Sequence, residues 1–183
     1  MAFPTGTELI NPTKLLEHAN VREGFRVADF GCGTVGHYVF PASRLVGASG
    51  KVYAVDIMKS VLQAIRSRIE LDGTKNVLPV WGDIERLRGV PLPNESLDVV
   101  LLVNNLFLAK DKTAMGHEAL RLLKSGGTLV LADWRPTGAP FGPPPPTRVA
   151  EEQARLVMQS VGFRLGVSFE AGPYHYGLVF EKP

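Results

Sequence analysis

Three carboxylates and a glycine turn carry the chemistry that this chain can do. Asp29 stands two residues before Gly31-Cys32-Gly33-Thr34-Val35-Gly36, Asp56 ends a later apolar run, and Asp83 follows a third in Gly82-Asp83-Ile84. Glycines let a backbone approach a bulky ligand, and an acid about 20 residues further on can accept hydrogen bonds from a ribose. The arrangement is that of a nucleotide site. Read alone, Gly31-x-Gly33-x-x-Gly36 is a dinucleotide fingerprint, and Asp56 follows Gly36 by 20 residues, so an NAD-dependent oxidoreductase is one reading. Asp29 speaks against it, because a carboxylate repels a pyrophosphate and attracts a cationic group. No Tyr-x-x-x-Lys pair is present to move a proton during hydride transfer.

The elements that must position these residues alternate. Asn11-Pro12 reads as an N-cap with proline at the first helical position, and Leu15, Leu16 and Ala19 form the apolar face of a lead-in helix within residues 1–24. Strands are expected at Arg26 to Phe30, Lys51 to Val55, Val77 to Trp81, Leu97 to Val103 and Thr128 to Ala132. Between them, helices are expected through Tyr38 to Val46, Lys59 to Leu71 and Lys112 to Leu123, with a last one from about Thr147 to Ser160. Phe163 to Phe169 and Tyr174 to Glu181 read as two antiparallel strands joined through Gly172-Pro173. Strand, helix, strand at this spacing makes an open, mostly parallel α/β sheet with helices on both faces. Ligands bind such sheets outside the carboxyl ends of the strands. Asp29, Asp56, Asp83, Asn104 and Asp133 all fall there.

Taken together these residues resemble the class I S-adenosylmethionine-dependent methyltransferases, from Asn11 to Lys182. Asp29-Phe30-Gly31-Cys32-Gly33 matches the family's acid and alternating glycines, Asp56 its acid at the end of strand two, and Asp83-Ile84 its acid after strand three. Leu123-Lys124-Ser125-Gly126-Gly127-Thr128-Leu129 is similar to its entry to strand five, and Gly162-Phe163 to the Gly-Phe before its closing hairpin. One residue departs: Val35 stands where the family commonly has a third glycine, and Gly36 comes next. The resemblance implies a three-layer Rossmann-like fold with a mostly parallel seven-stranded sheet and a C-terminal antiparallel hairpin, and S-adenosyl-L-methionine as cofactor. It implies cofactor contacts from Asp29, Gly31, Cys32, Gly33, Asp56, Ile57, Gly82, Asp83, Ile84 and Asn104, with Asp56 on the ribose and Asp83 near the adenine. A third reading is a cofactor-binding module without catalysis, acting as a partner or sensor subunit.

For a methyl acceptor the candidates are His37, Asn105, Trp134 and Phe141, and for a base His37, Asp133 and His175. Residues Pro136 to Pro146 hold six prolines, four of them consecutive, a stiff extended strap beside the crevice. Aromatic residues near it suit a small aromatic, quinone-like or arsenic-type acceptor.

Composition narrows the rest. A chain of 183 residues fits one domain, 1–183. A formal charge of +2 with scattered Lys and Arg does not indicate nucleic acid as a partner. No apolar stretch reaches the ~18 residues of a membrane span, and the opening residues lack a signal-peptide core, so a cytoplasmic protein is expected. Cys32 is the single cysteine and the four histidines are far apart, so no metal site is expected. Nothing in the sequence specifies an oligomeric state.

Overall fold

The computed structural model describes residues 9–183. The first eight residues of the expected lead-in lie outside the described residues. Helix α1 (Pro12–His18) starts as its sequence requires, with Asn11 Oδ1 accepting from the Thr13 and Lys14 amides at 2.9 and 3.2 Å. Then come β1 (Arg26–Phe30), α2 (Val39–Val46), β2 (Lys51–Asp56), α3 (Lys59–Asp72), β3 (Val77–Trp81) and β4 (Leu97–Val103). The second half is α4 (Lys112–Leu122), β5 (Leu123–Trp134), a short 3-10 turn (Pro145–Thr147), α5 (Glu151–Val161), β6 (Arg164–Gly172) and β7 (His175–Glu181).

The strands form one seven-stranded sheet in the order β3-β2-β1-β4-β5-β7-β6. The first five run parallel, while β7 is antiparallel to both β5 and β6. The chain leaves β1 toward one edge and returns at β4 to build the other half, so the crevice at the carboxyl ends of β1 and β4 is the switch point where such sheets take ligands. The central strands are buried on both faces, which is why they read as near-continuous apolar runs.

Side chains alternate between the two faces. Val27, Val52, Ala54, Leu101, Val130 and Ala132 pack with α1, α2 and α3 residues such as Leu16, Phe40 and Ile65. Phe30, Val100, Leu131, Tyr176 and Leu178 pack on the other face with Met115, Ala119, Ala154 and Met158 of α4 and α5. Asp29, Asp56 and Trp134, each two residues beyond Val27, Ala54 and Ala132, therefore belong to the first face. His175, one residue from Tyr176, belongs there too. Asp133, between Ala132 and Trp134, belongs to the second.

Apart from shifts of one to three residues at other element ends, such as β6 continuing to Gly172, three segments differ from the sequence expectation. Strand β5 begins at Leu123, because Leu123 pairs with Leu97 and Gly126 and Gly127 exchange backbone hydrogen bonds with Lys182 before the regular ladder resumes at Thr128. Helix α5 begins at Glu151 rather than near Thr147, with Ala154 and Met158 fully buried. The residues expected to open it, Thr147 and Arg148, are occupied by the segment before them. That segment is not straight: it bends through Gly138 and Gly142 and closes with Thr147 N–H donating to the Pro144 carbonyl at 2.9 Å.

Candidate functional site

The glycine turn is built as a floor. Gly31, Gly33 and Gly36 have φ of +69°, +64° and +59°, a left-handed run that carries the chain back over the end of the sheet. A Cβ on Gly31 would collide with the side chain of Asn105, whose Nδ2 donates to the Phe30 and Val103 carbonyls at 2.8 Å each. A Cβ on Gly36 would meet Phe40 at 2.8 Å and Ile65 at 2.9 Å. Val35 is thereby explained. Its side chain points to solvent, 61% exposed, its carbonyl accepts from Arg68 Nη1 at 2.7 Å, and Gly36 supplies the close packing one residue later.

The turn does not lead directly into a helix. Helix α2 begins only at Val39, and Tyr38 makes no side-chain cap. A dinucleotide pyrophosphate is held by a helix N-terminus opening inside its glycine motif, so this turn lacks the cradle that the NAD-dependent reading requires.

Beside the floor lies a cleft of about 310 Å³ lined by Gly31, Asp56, Ile57, Gly82, Asp83, Ile84 and Asn105, and by four residues the sequence reading did not single out, Met58, Glu85, Leu108 and Met115. Asp56 ends β2 with Oδ1 accepting from Met58 N–H at 2.9 Å and Oδ2 facing Gly33 N–H at 3.4 Å. It does not cap α3, whose N-cap is Met58. Asp83 Oδ1 takes Glu85 N–H at 3.0 Å, and Glu85 Oε2 takes the Lys110 and Asp111 amides at 2.8 and 3.1 Å. Glu85 thus ties the rim after β3 to the Asn105–Asp111 rim that carries Leu108. Trp81 Nε1 donates to the Ile57 carbonyl at 2.9 Å, which fixes the third wall.

Behind the floor, Asp29 is 2% exposed and its Oδ2 has no partner. Burial, with a smaller contribution from the charge of Asp56, pushes its carboxyl up to about 8. Asn104 has φ +55°, and its buried Oδ1 is likewise unpartnered. Cys32 is buried, and burial followed by the charges of Asp29 and Asp56 holds its thiol far above the ordinary range, so it is no nucleophile.

The acceptor-side candidates separate. His37 lies away from the cleft, its Nε2 3.2 Å from the Ile10 carbonyl and its ring edge-on to Tyr38. Asp133 lies under the opposite sheet face with both oxygens engaged, Oδ2 accepting Phe107 N–H at 3.2 Å and Oδ1 Trp134 N–H at 2.7 Å. Burial raises its carboxyl to about 6 against those hydrogen bonds and the charge of Lys112. That geometry anchors the loop after β4. His175 is fully buried, 4.1 Å from the Trp134 ring, with neither ring nitrogen partnered. Burial first, then the charges of Arg135 and Arg148, lower its imidazole to about 4, so it is neutral at pH 7. Phe141 meets Trp134 at 6.1 Å and Tyr174 at 5.2 Å, both edge-on. Among the described residues no group of three or more His, Cys, Asp or Glu could hold a metal ion.

A mostly parallel sheet with a switch-point cleft, a glycine floor and acids at successive strand ends defines a nucleoside-binding α/β protein of the Rossmann-like class. The family model described as methyltransferase domain matches residues 22–172. The chain belongs to the class I S-adenosylmethionine-dependent methyltransferases, whose cofactor is S-adenosyl-L-methionine. It is similar to a ubiquinone/menaquinone biosynthesis C-methyltransferase, UbiE, of Azotobacter vinelandii, 36% identical over 129 residues that make up 69% of this chain and 49% of the relative. It is also similar to an arsenite methyltransferase of Aquipseudomonas alcaligenes, 35% identical over 115 residues, 61% of this chain and 33% of the relative. The chain spans about half the length, or less, of these curated relatives. Among solved structures, a SAM-dependent methyltransferase from Aquifex aeolicus superposes with a TM-score of 0.89 at 28% identity, covering 97% of this chain and 93% of that one.

The residues present fit that cofactor. The cleft offers apolar walls from Ile57, Ile84, Leu108 and Met115 with carboxylates at Asp56 and Asp83, and Asp29 and Asn104 hold buried acceptor atoms without partners.

Proposed function

We propose that this protein is an enzyme that moves a methyl group from S-adenosylmethionine to a small, planar, hydroxylated aromatic acceptor of the quinol type. The observation that carries the reading is the shared sheet face: Asp56 and Asp29 at the ends of β2 and β1, and Trp134 and His175 at the ends of β5 and β7, follow one another along one edge. That edge carries the acids of the cofactor cleft toward one side and an aromatic cluster of Trp134, Phe141 and His175 toward the other.

The bound cofactor supplies an activated methyl on a sulfonium. The chain's own part is to bind, orient and exclude water. Asp56 accepts hydrogen bonds from the ribose, and Asp83 with Ile84 borders the adenine. Ile57, Leu108 and Met115 give apolar contact, while Gly31, Cys32, Gly33 and Gly82 supply backbone at close range. Asp29, with Asn104, supplies negative potential on the side where a cationic group is to lie. His175, neutral and buried against Trp134 with neither ring nitrogen partnered, is the polar group of this cluster that could exchange one hydrogen bond with the acceptor's hydroxyl.

The UbiE relatives support a carbon acceptor on a quinol ring. The arsenite relative supports an arsenic acceptor, but trivalent arsenic calls for several thiolates, and this chain has one cysteine, buried and held as the thiol. The 183 residues are proposed to work as one domain. Among the described residues no helix is long and apolar enough to cross a membrane; a cytoplasmic location is part of the proposal and does not follow from that.

The test is a methyl-transfer assay with labelled S-adenosylmethionine against reduced naphthohydroquinones, phenols, amines and arsenite. Label moving to the hydroquinones is the expected result. Label moving only to arsenite or amines contradicts the acceptor class, and binding of the cofactor with no transfer to any of them returns the non-catalytic module.

A further inference from the structure

The proline-rich segment has a problem that its composition creates. Proline has no amide N–H, so residues 136–146 cannot fold upon themselves through a backbone ladder, yet their carbonyls still need donors. Arg148 supplies them. Its Nε donates to the Pro143 carbonyl at 2.9 Å, Nη1 to Arg135 at 3.3 Å, and Nη2 to Phe141 at 3.0 Å and Ala139 at 3.5 Å. Arg148 is 9% exposed and its Cζ lies 5.5 Å from the Trp134 ring centroid. Among the described residues, none of the ion pairs includes it. A planar fork with five donors can hold four carbonyls spread over nine residues at once, and a lysine ammonium cannot match that geometry.

What the fork fixes is the aromatic wall. The strap folded around Arg148 brings Phe141 against Trp134 and Tyr174, while the β5–β7 register sets Trp134 against His175, whose two buried nitrogens lack partners in the fold. We propose that Arg148 is the positioning residue of the acceptor site: by holding the strap it keeps Phe141 packed edge-on against Trp134, so that this aromatic cluster, backed by His175, forms the wall against which a planar acceptor lies. This rests on the methyltransferase reading and adds which residue shapes acceptor selection. Arg148 itself touches the strap and not the reacting atoms.

The experiment uses the full chain and the variants Arg148→Lys and Phe141→Ala, with S-adenosylhomocysteine and reduced 1,4-naphthohydroquinone as probes. In a Trp81→Phe background Trp134 is the remaining tryptophan, and its quenching by acrylamide reports whether the strap is in place without any turnover. For Arg148→Lys we expect S-adenosylhomocysteine affinity within about twofold of the parent, stronger quenching of Trp134, and a KM for the hydroquinone raised about tenfold at nearly unchanged kcat, as for one or two lost hydrogen bonds acting only on binding. Phe141→Ala, which leaves the fork intact, is expected to raise the same KM with the cofactor affinity again unchanged. Quenching and KM both equal to the parent in Arg148→Lys overturn the inference, as does a loss of cofactor affinity that parallels the loss of acceptor affinity. Failure of the unaltered protein to bind S-adenosylhomocysteine overturns the methyltransferase reading and this inference with it. Cofactor binding without any hydroquinone binding overturns the acceptor site alone.

Discussion

Asp29 is buried beneath the glycine floor, and an ionised carboxylate there is unfavourable until a cation meets it. In the free protein its carboxyl is raised to about 8, by burial first and by Asp56 second. A group whose folded pKa lies above its unfolded value of about 3.9 contributes stability below that value and loses it as pH rises through the folded pKa. The denaturation midpoint of the cofactor-free protein is therefore expected to fall between pH 4 and pH 8, and Asp29→Asn should flatten that slope in urea titrations run at each pH. Binding a cationic ligand reverses the preference. S-adenosylmethionine binding near pH 7 should release protons, read as an enthalpy that depends on the buffer's ionisation heat and no longer does so in Asp29→Asn. Asp56→Ala should weaken S-adenosylhomocysteine binding by about 2–4 kcal/mol, the magnitude for lost charge-assisted hydrogen bonds. An unchanged calorimetric affinity would return Asp56 to holding the Met58 amide. These acids were legible because each ends an apolar run. Met58, Glu85, Leu108 and Met115 were not, because they reach the cleft from loops and a helix start, whose paths no local pattern states.

At the scale of elements, the segment between β3 and β4 is held by a residue that helical periodicity cannot distinguish. Glu118 of α4 is 0% exposed: Oε2 accepts Arg88 N–H at 2.7 Å, Oε1 accepts Val90 N–H at 2.9 Å, and Arg121 pairs with both oxygens at 2.8 and 2.7 Å. Burial alone would raise its carboxyl, but Arg121 and the two amides outweigh it and hold the pKa below the ordinary range. Arg121 also reaches the Val90 and Leu92 carbonyls at 3.0 Å each. This pair stitches the irregular loop to the helix that begins at Lys112. Glu118→Ala leaves a largely covered guanidinium and two loop amides without their carboxylate, and we expect a loss of about 3–5 kcal/mol in chemical denaturation. A change under 1 kcal/mol would show that the loop is held elsewhere. The strap teaches the same lesson. Its prolines were visible in sequence and read as straight, yet Arg148, the residue that bends them, looks like any helix-start arginine until the carbonyls around it are placed.

For the whole molecule, the order of strands decides what the motifs mean. Strand, helix and glycine spacing made the seven-stranded sheet and its closing hairpin legible, because buried parallel strands announce themselves as apolar runs and their ends as polar residues. Which sheet face each strand end serves was not legible in advance, since it depends on the registers that set Asp133 opposite Tyr176 and Trp134 opposite His175. That assignment turns Asp133 into a loop anchor and brings His175 to the edge shared with Asp29 and Asp56. The glycine spacing alone favoured a dinucleotide. The late start of α2 at Val39 and the buried Asp29 favour an adenosyl cation instead. Isothermal titration of the full chain with S-adenosylmethionine, S-adenosylhomocysteine and NAD tests this most directly. Saturable binding of both adenosyl ligands at one site per chain, with no heat from NAD, is the outcome this account requires. Binding of NAD with no heat from either adenosyl ligand would contradict it.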